Sequence, residues 1–225
     1  MRAIIREAKS FALRECICRK ERALQGHPCT HSSETCLGFS SEAGAFDYFN
    51  YAGRVISQDE ALRVLDATER EGLVHVTYNV RERPMFVCNC CSCCCGFLRA
   101  LKEFGAPHAL ARSSFVASID GETCDSCAAC ASPRCPMDAI RPDPGHYTVV
   151  SDRCIGCGVC AVACPYGAIR LASRPEADRL VPSKDVVHWS VERMASRSGP
   201  LARLALRLWL ARHEARAAPH DSVAH

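Results

Sequence analysis

Residues 154–165 read CIGCGVCAVACP, and residues 124–136 read CDSCAACASPRCP. The two stretches are one pattern written twice. Cys124, Cys127 and Cys130 recur 30 residues later as Cys154, Cys157 and Cys160, and Cys135-Pro136 recurs as Cys164-Pro165, one residue out of step. Ala139-Ile140 recurs as Ala168-Ile169, and strand-like runs, FVASI at 115–119 and YTVV at 147–150, precede the two copies. Each half is too small to bury a core alone, so the duplication predicts two half-modules packed face to face.

The surrounding composition bounds what these thiols can be. The chain has 225 residues, 18 of them cysteine, with 48% hydrophobic and 24% charged residues and a formal net charge of +3. Those fractions are ordinary for a globular protein. So small a charge argues against a nucleic-acid partner. In the opening segment MRAIIREAKSFALRE, charges at Arg6, Glu7, Lys9 and Arg14 interrupt every apolar run, which excludes a signal-peptide core there. No stretch reaches the length of a membrane span. A cytoplasmic setting is the expectation, and in that compartment clustered thiols bind metal more often than they form disulfides.

The spacing narrows the metal. A four-iron, four-sulfur cage needs four soft thiolates arriving from different sides. A C-x2-C-x2-C loop wraps three of them around one pole and cannot reach the fourth iron. Residues 154–165 resemble the bacterial two-cluster ferredoxins, whose C-x2-C-x2-C-x3-C-P run sends its last cysteine to the other cluster. The resemblance covers residues 116–171 and implies an α+β, ferredoxin-type, pseudo-twofold domain holding two [4Fe–4S] clusters. It implies Cys154, Cys157 and Cys160 with Cys135 on one cluster, and Cys124, Cys127 and Cys130 with Cys164 on the other. The first copy departs by one residue, with four rather than three between Cys130 and Cys135. Zinc is the alternative metal, but structural zinc sites use two separate cysteine pairs in one closed site, not a duplicated triplet.

Ten further cysteines precede the repeat: Cys16, Cys18, Cys29 and Cys36, then Cys88, Cys90, Cys91, Cys93, Cys94 and Cys95 within VCNCCSCCCGFLR. This segment is similar to a cysteine-rich module found ahead of ferredoxin repeats in some bacterial proteins. Ten thiols suffice for a third Fe–S cluster, or a zinc site, or reactive thiols. If the run leads into a helix, Cys91, Cys94 and Cys95 share one face. His27 and His31 flank Cys29 and are candidate ligands, although loop histidines more often face water.

Three domains follow: 1–111, a small α+β cysteine-rich domain; 112–180, the ferredoxin-type domain; and 181–225, a helical tail with a frayed C-terminus. In the first, residues 58–71 have helical periodicity, with Ser57 and Glu60 as a capping box and Gly72 as the stop. LVHVTYNV (73–80) reads as a strand. Phe97, Leu98, Leu101 and Phe104 read as one face of a helix, and the whole suggests a winged-helix-like unit. In the tail, residues 198–218 read as a helix opened by Pro200. Leu201, Leu204, Ala205, Leu208 and Trp209 form an apolar face opposite Arg203, Arg207 and Glu214. That face would dock on the protein itself, on a redox partner, or peripherally on a membrane surface. No dinucleotide fingerprint or phosphate loop is present. The function expected is relay of single electrons to or from a redox enzyme, without catalysis. The alternatives are a reductase with an open iron on an N-terminal cluster, and a redox or metal sensor.

Overall fold

The computed structural model describes residues 1–47 and 53–217. These fall into two compact units, one of residues 1–77 and 85–181, the other of residues 78–84 and 182 onward. The architecture is mixed α+β, and every pairing between named strands is antiparallel.

The first unit opens with helix α1 (Arg2–Glu7), strand β1 (Ser10–Glu15), helix α2 (Ile17–Leu24) and strands β2 (Glu34–Ser40) and β3 (Arg54–Ile56). Helix α3 (Gln58–Arg70), strands β4 (Val74–Val76) and β5 (Phe86–Cys90), and helix α4 (Gly96–Lys102) follow. The strands form one five-stranded sheet, ordered β3-β1-β2-β5-β4. A winged-helix-like unit is thereby corrected to a sheet with helices packed on it. Phe11 lies opposite Phe39 and Leu13 opposite Leu37, and all four side chains are buried. They meet Ala61 and Leu65 of α3 in one apolar cluster.

Helix α3 begins as expected, with the Ser57 hydroxyl accepting from the Glu60 amide at 3.2 Å. The Glu60 carboxylate pairs instead with Arg54, 2.6 Å away, so only half of the capping box forms. Gly72, at φ 84°, stops the helix. The strand expected over 73–80 is only Val74–Val76 long, because Tyr78–Pro84 belongs to the second unit. Helix α4 is also shorter than its apolar pattern suggested. Leu98 is fully buried, whereas Phe97 and Phe104 are exposed.

The repeat supplies strands β6 (Phe115–Ile119), β7 (Ile140–Asp143) and β8 (His146–Val149), helix α5 (Val159–Ala163) and strand β9 (Ile169–Ser173). β6 pairs with β9, so the start of the first copy is zipped to the end of the second, and β7 pairs with β8 between them. The boundary expected at 111/112 falls inside this compact unit. Val74, Cys90, Cys95 and Leu98 of the cysteine-rich segment share one buried apolar cluster with Ala117, Cys130, Cys135, Met137 and Cys160 of the repeat.

The second unit contains helices α6 (Val186–Arg197) and α7 (Pro200–Ala217). Asp185 caps α6 by accepting from the His188 amide at 2.9 Å. α7 starts at Pro200 as read from sequence, but the expected apolar face of Leu201, Leu204, Leu208 and Trp209 is exposed. Leu206 and Leu210 are the leucines partly covered, on the side of Arg203, which donates to the Ala195 carbonyl at 3.2 Å. The frayed end expected beyond this helix lies outside the described residues. Among the described residues no helix is long and apolar enough to cross a membrane.

Two outcomes are expected. Leu98→Ala should cost about 2–5 kcal/mol. Because Leu98 lies in the shared cluster, thermal unfolding should lower sheet circular dichroism and visible cluster absorbance in one transition. In the second unit, the His188 ring lies 2.8 Å from Asp185 and 2.9 Å from Glu214, with Lys184 also 3.6 Å from Glu214. Hydrogen bonds to Asp185 and Glu214 raise the His188 pKa. Only the imidazolium donates to both carboxylates, so this contribution is complete below about pH 6.5, the unfolded value. It is lost as pH rises through the higher folded value. Amide exchange in α7 should quicken across that window, and His188→Gln should flatten the dependence.

Candidate metal centres

Two cavities lie in the repeat, each lined by thiols from both copies. Cys124, Cys127 and Cys130 line one small cavity together with Cys164. Cys154, Cys157 and Cys160 line a second together with Cys135. In both, three thiols come from one copy and the fourth from the other. Ile119, Tyr147, Ala168 and Ile169 complete the first cavity, and Ala117, Met137, Ile140 and Val149 the second. A set of four soft thiols in an apolar setting fits a four-iron cluster.

The loop backbones show how the chain makes these turns. In the second copy Gly156 and Gly158 take φ of 67° and 79°, and Gly167 takes 66°. The matching positions of the first copy are Ser126 at 53°, Ala128 at 61° and Asp138 at 48°. The same left-handed turns recur although the first copy lacks glycine at all three, so the path is imposed by the packing and not by local preference. A Cβ on Gly156 would stand 2.2 Å from the Phe115 carbonyl oxygen, a distance no relaxation of the β6 backbone can accommodate cheaply.

Backbone amides already point at two of the sulfurs. Ala117 N–H donates to Cys154 Sγ at 3.5 Å, and Ala139 N–H donates to Cys135 Sγ at 3.3 Å. Such bonds stabilise thiolate and tune the potential of a cluster. Burial pushes the Cys157 thiol up to about 11 and the Cys160 thiol up to about 12, and raises Cys130. Without metal these groups are neutral, and loading a cluster must release their protons.

Two arginines that the sequence reading passed over hold the loops in place. Arg174, almost fully buried, donates to the carbonyls of Cys154 at 2.6 Å and Ser113 at 3.2 Å, and to Ser151 Oγ at 3.3 Å. Arg134 sits in the longer loop of the first copy. It donates to the carbonyls of Arg70 at 2.8 Å, Glu69 at 3.0 Å and Val159 at 3.3 Å, tying the loop to the end of α3 and to α5. For Arg134 the available signal was its being the one basic residue within CDSCAACASPRCP.

All eighteen cysteines are free thiols. The ten in the N-terminal segment separate into two sets. Cys95 caps α4, and its amide donates to the Cys91 carbonyl at 3.1 Å, so residues 91–95 form a turn and not a helical face. Cys91 and Cys94 point into a small cluster over Leu73, whereas Cys95 joins Cys90 beside Leu98. The shared face expected for Cys91, Cys94 and Cys95 is thus corrected.

The first set contains Cys29, Cys91, Cys93 and Cys94, with His31. Cys29 Sγ lies 3.6 Å from Cys93, 3.8 Å from Cys91 and 3.2 Å from His31 Nδ1, and Cys94 lies 3.7 Å from Cys93. His31 therefore faces a thiol where water was expected. Burial raises Cys29, but hydrogen bonds from the His31 amide and ring, and from Cys93 and Cys94, outweigh it and bring the pKa down to about 6. The second set is a mostly buried chain of thiols. Cys88 accepts from Cys36 and Cys90 and falls to about 4, while Cys95 accepts from Cys90 and falls to about 6. Cys36, contacting Cys16 and Cys88, rises to about 11, and Cys16 rises through its bond to Cys36 and its burial. Burial also raises Cys18, which lies near Cys95 and Cys16.

Arg19 is the buried cation of this module. Its guanidinium donates to Thr35 Oγ1 at 2.6 Å and to the carbonyls of Ser32 and Asn89, each at 2.9 Å. It also contacts Cys91 and offsets nearby thiolate charge. His75 and Asn89 are joined at 2.5 Å, and Asn89 donates to the Thr35 carbonyl, so β2, β4 and β5 are locked behind the thiols.

Residues 147–170 match the 4Fe-4S binding domain family. The Escherichia coli (strain K12) protein "Electron transport protein HydN" is 54% identical over 41 residues, 18% of this chain and 23% of that protein. A ferredoxin of Methanocaldococcus jannaschii is 42% identical over 57 residues, 22% of this chain and 38% of that protein. An "Iron-sulfur protein" of Rhodospirillum rubrum is 31% identical over 97 residues, 38% of this chain and 50% of that protein. The matched region spans half or less of each of these relatives. The chain carries a ferredoxin-type 4Fe–4S segment behind a cysteine-rich N-terminal region.

Gly156→Ala should remove about half of the iron held by the repeat, since only the Cys154–Cys160 loop is blocked. Ala128→Gly, which relaxes a left-handed non-glycine residue, should stabilise the protein by about 1 kcal/mol. Iron analysis and a denaturant midpoint read the two effects.

Proposed function

We propose that residues 112–180 form a pseudo-twofold ferredoxin-type domain that holds two [4Fe–4S] clusters and passes single electrons between redox partner proteins. The observation that supports this most directly is the mixed lining of the two cavities, three thiols from one copy and one from the other. Cys124, Cys127, Cys130 and Cys164 would hold one cluster, and Cys154, Cys157, Cys160 and Cys135 the other. Each cluster, when bound, takes up and gives back one electron at a potential set by its hydrogen bonds and solvent exposure. The chain's own part is to orient the thiolates, aim the Ala117 and Ala139 amides at sulfur and exclude water with the apolar lining. With a thiolate for every iron there is no open position for substrate, so the domain works as a carrier without bond chemistry. The similarity to proteins named for electron transport and as a ferredoxin points the same way.

The second set of thiols favours a longer relay. Buried Cys16, Cys36, Cys90 and Cys95 and half-buried Cys88 form a contacting series, and Cys90 and Cys95 lie in the apolar cluster that also contains Cys130, Cys135 and Cys160. We assign a third Fe–S cluster to this series, in a cytoplasmic electron-transfer protein with no nucleic-acid partner.

Anaerobically purified protein should carry about twelve iron and twelve acid-labile sulfide per chain, four for each cluster of this type. Cys135→Ser and Cys164→Ser should each reduce both by about four, and reductive titration followed by electron paramagnetic resonance should show a different signal lost in each. Eight per chain would remove the third cluster and leave the pair. Iron unaltered by both substitutions would overturn the exchange of ligands between the copies.

A further inference from the structure

We infer that Cys29, His31, Cys91 and Cys93 form a structural zinc site, separate from any iron–sulfur cluster. Their ligand atoms all lie within 4.8 Å of one another, and among the described residues no other group of three or more His, Cys, Asp or Glu side chains closes so tightly. This inference does not depend on the reading of the repeat.

The size of the site decides between one ion and a cage. Zn–S bonds of about 2.3 Å in a tetrahedron set neighbouring sulfurs about 3.8 Å apart. Cys29 lies 3.8 Å from Cys91 and 3.6 Å from Cys93. The shorter Zn–N bond brings a histidine nitrogen closer, and His31 Nδ1 is 3.2 Å from Cys29 Sγ. A four-iron cage puts a separate iron under each thiolate and spreads the sulfurs wider; the thiols lining the repeat's cavities form no such mutually close group. Three thiolates and one imidazole are among the donor sets of structural zinc, and four protein ligands leave no coordination position open.

The two halves of the site are held before metal arrives. Cys29 and His31 lie in the loop from α2 to β2. That loop is pinned by the Cys16 amide on the Ser33 carbonyl at 2.8 Å, by Arg19 on the Ser32 carbonyl, and by the Ser32 amide on Glu71 at 3.0 Å. Cys91 and Cys93 lie in the turn from β5 to α4, with Cys91 packed on buried Leu73. Arg19 beside Cys91 balances the negative charge that three thiolates leave on a divalent ion. Zinc here would join positions 62 residues apart and close a long loop, where a cross-link constrains the unfolded chain strongly. Cys94 is adjacent to Cys93 but falls outside the mutually close four.

The test uses the full-length protein, expressed with zinc and purified without oxygen. Metal analysis should find about one zinc per chain in addition to iron, and zinc-edge X-ray absorption should fit three sulfurs and one nitrogen. Cys93→Ser and His31→Ala, at exposed and half-buried positions, should lose the zinc and keep the iron and its visible absorbance, which reports that the protein has folded. Cys94→Ser should keep the zinc. Wild-type protein that binds no zinc when supplied with it overturns the inference, as does iron occupying the site. Zinc lost from Cys94→Ser but retained in His31→Ala overturns the ligand set. None of these results alters the iron count expected of the repeat, so the two readings fail separately.

Discussion

A loop of three cysteines spaced by two residues can cover only one pole of a four-iron cage, and the mixed lining of the repeat's two cavities would answer that limit. Each loop lends its last thiol to the other's cavity, so neither half is complete alone. The lending requires the two halves to stay in register. Pairing of β6 with β9 supplies the register by fastening the chain just before the first loop to the chain just after the second. Arg174 then fixes the second loop from behind, through the Cys154 carbonyl. The longer first loop uses its additional residue to carry Arg134 out to α3 and α5.

The same constraint reaches the cysteine-rich segment. Cys90, Cys95 and Leu98 share buried surface with Cys130, Cys135 and Cys160, so the two cysteine-rich parts of the sequence are one folded body. Burial of this kind contributes roughly 25 cal/mol per Å² of apolar surface and is indifferent to which module supplies the atoms. Arg19, buried among thiols, would be costly alone. Its three oxygen acceptors and its contact with Cys91 make it tolerable.

What was legible in the sequence tracks what is local. Spacing of Cys154, Cys157, Cys160 and Cys164 expresses a single loop, and the 30-residue recurrence expresses two. Ser57 and Gly72 announce the ends of α3 because caps act within four residues. The reading failed where a distant partner decides. The pattern at Phe97, Leu98, Leu101 and Phe104 gives a helix but not which side faces inward, and only Leu98 is deeply buried. Cys91, Cys94 and Cys95 looked like a face because helical spacing was assumed, whereas a turn sends Cys95 away from the other two. His31 was expected in water because nothing near it in sequence shows that the turn at 91–93 packs beside it. In α7 the apolar pattern did not tell which leucines turn inward, and Leu206 and Leu210, outside the expected face, are the ones partly covered.

Protonation connects these parts. Cys157 and Cys160 are raised by burial, so the unloaded protein keeps them neutral and can fold without gathering thiolates in one place. Cys88, Cys95 and Cys29 are lowered by hydrogen bonds from neighbouring thiols, and Cys29 also by His31, so each set in the N-terminal segment keeps a thiolate ready for metal. Thiolate is the form that binds metal. Each set nevertheless keeps protonated partners, since Cys16, Cys90, Cys93 and Cys94 are raised as Cys157 and Cys160 are, so metal entering either part would displace protons.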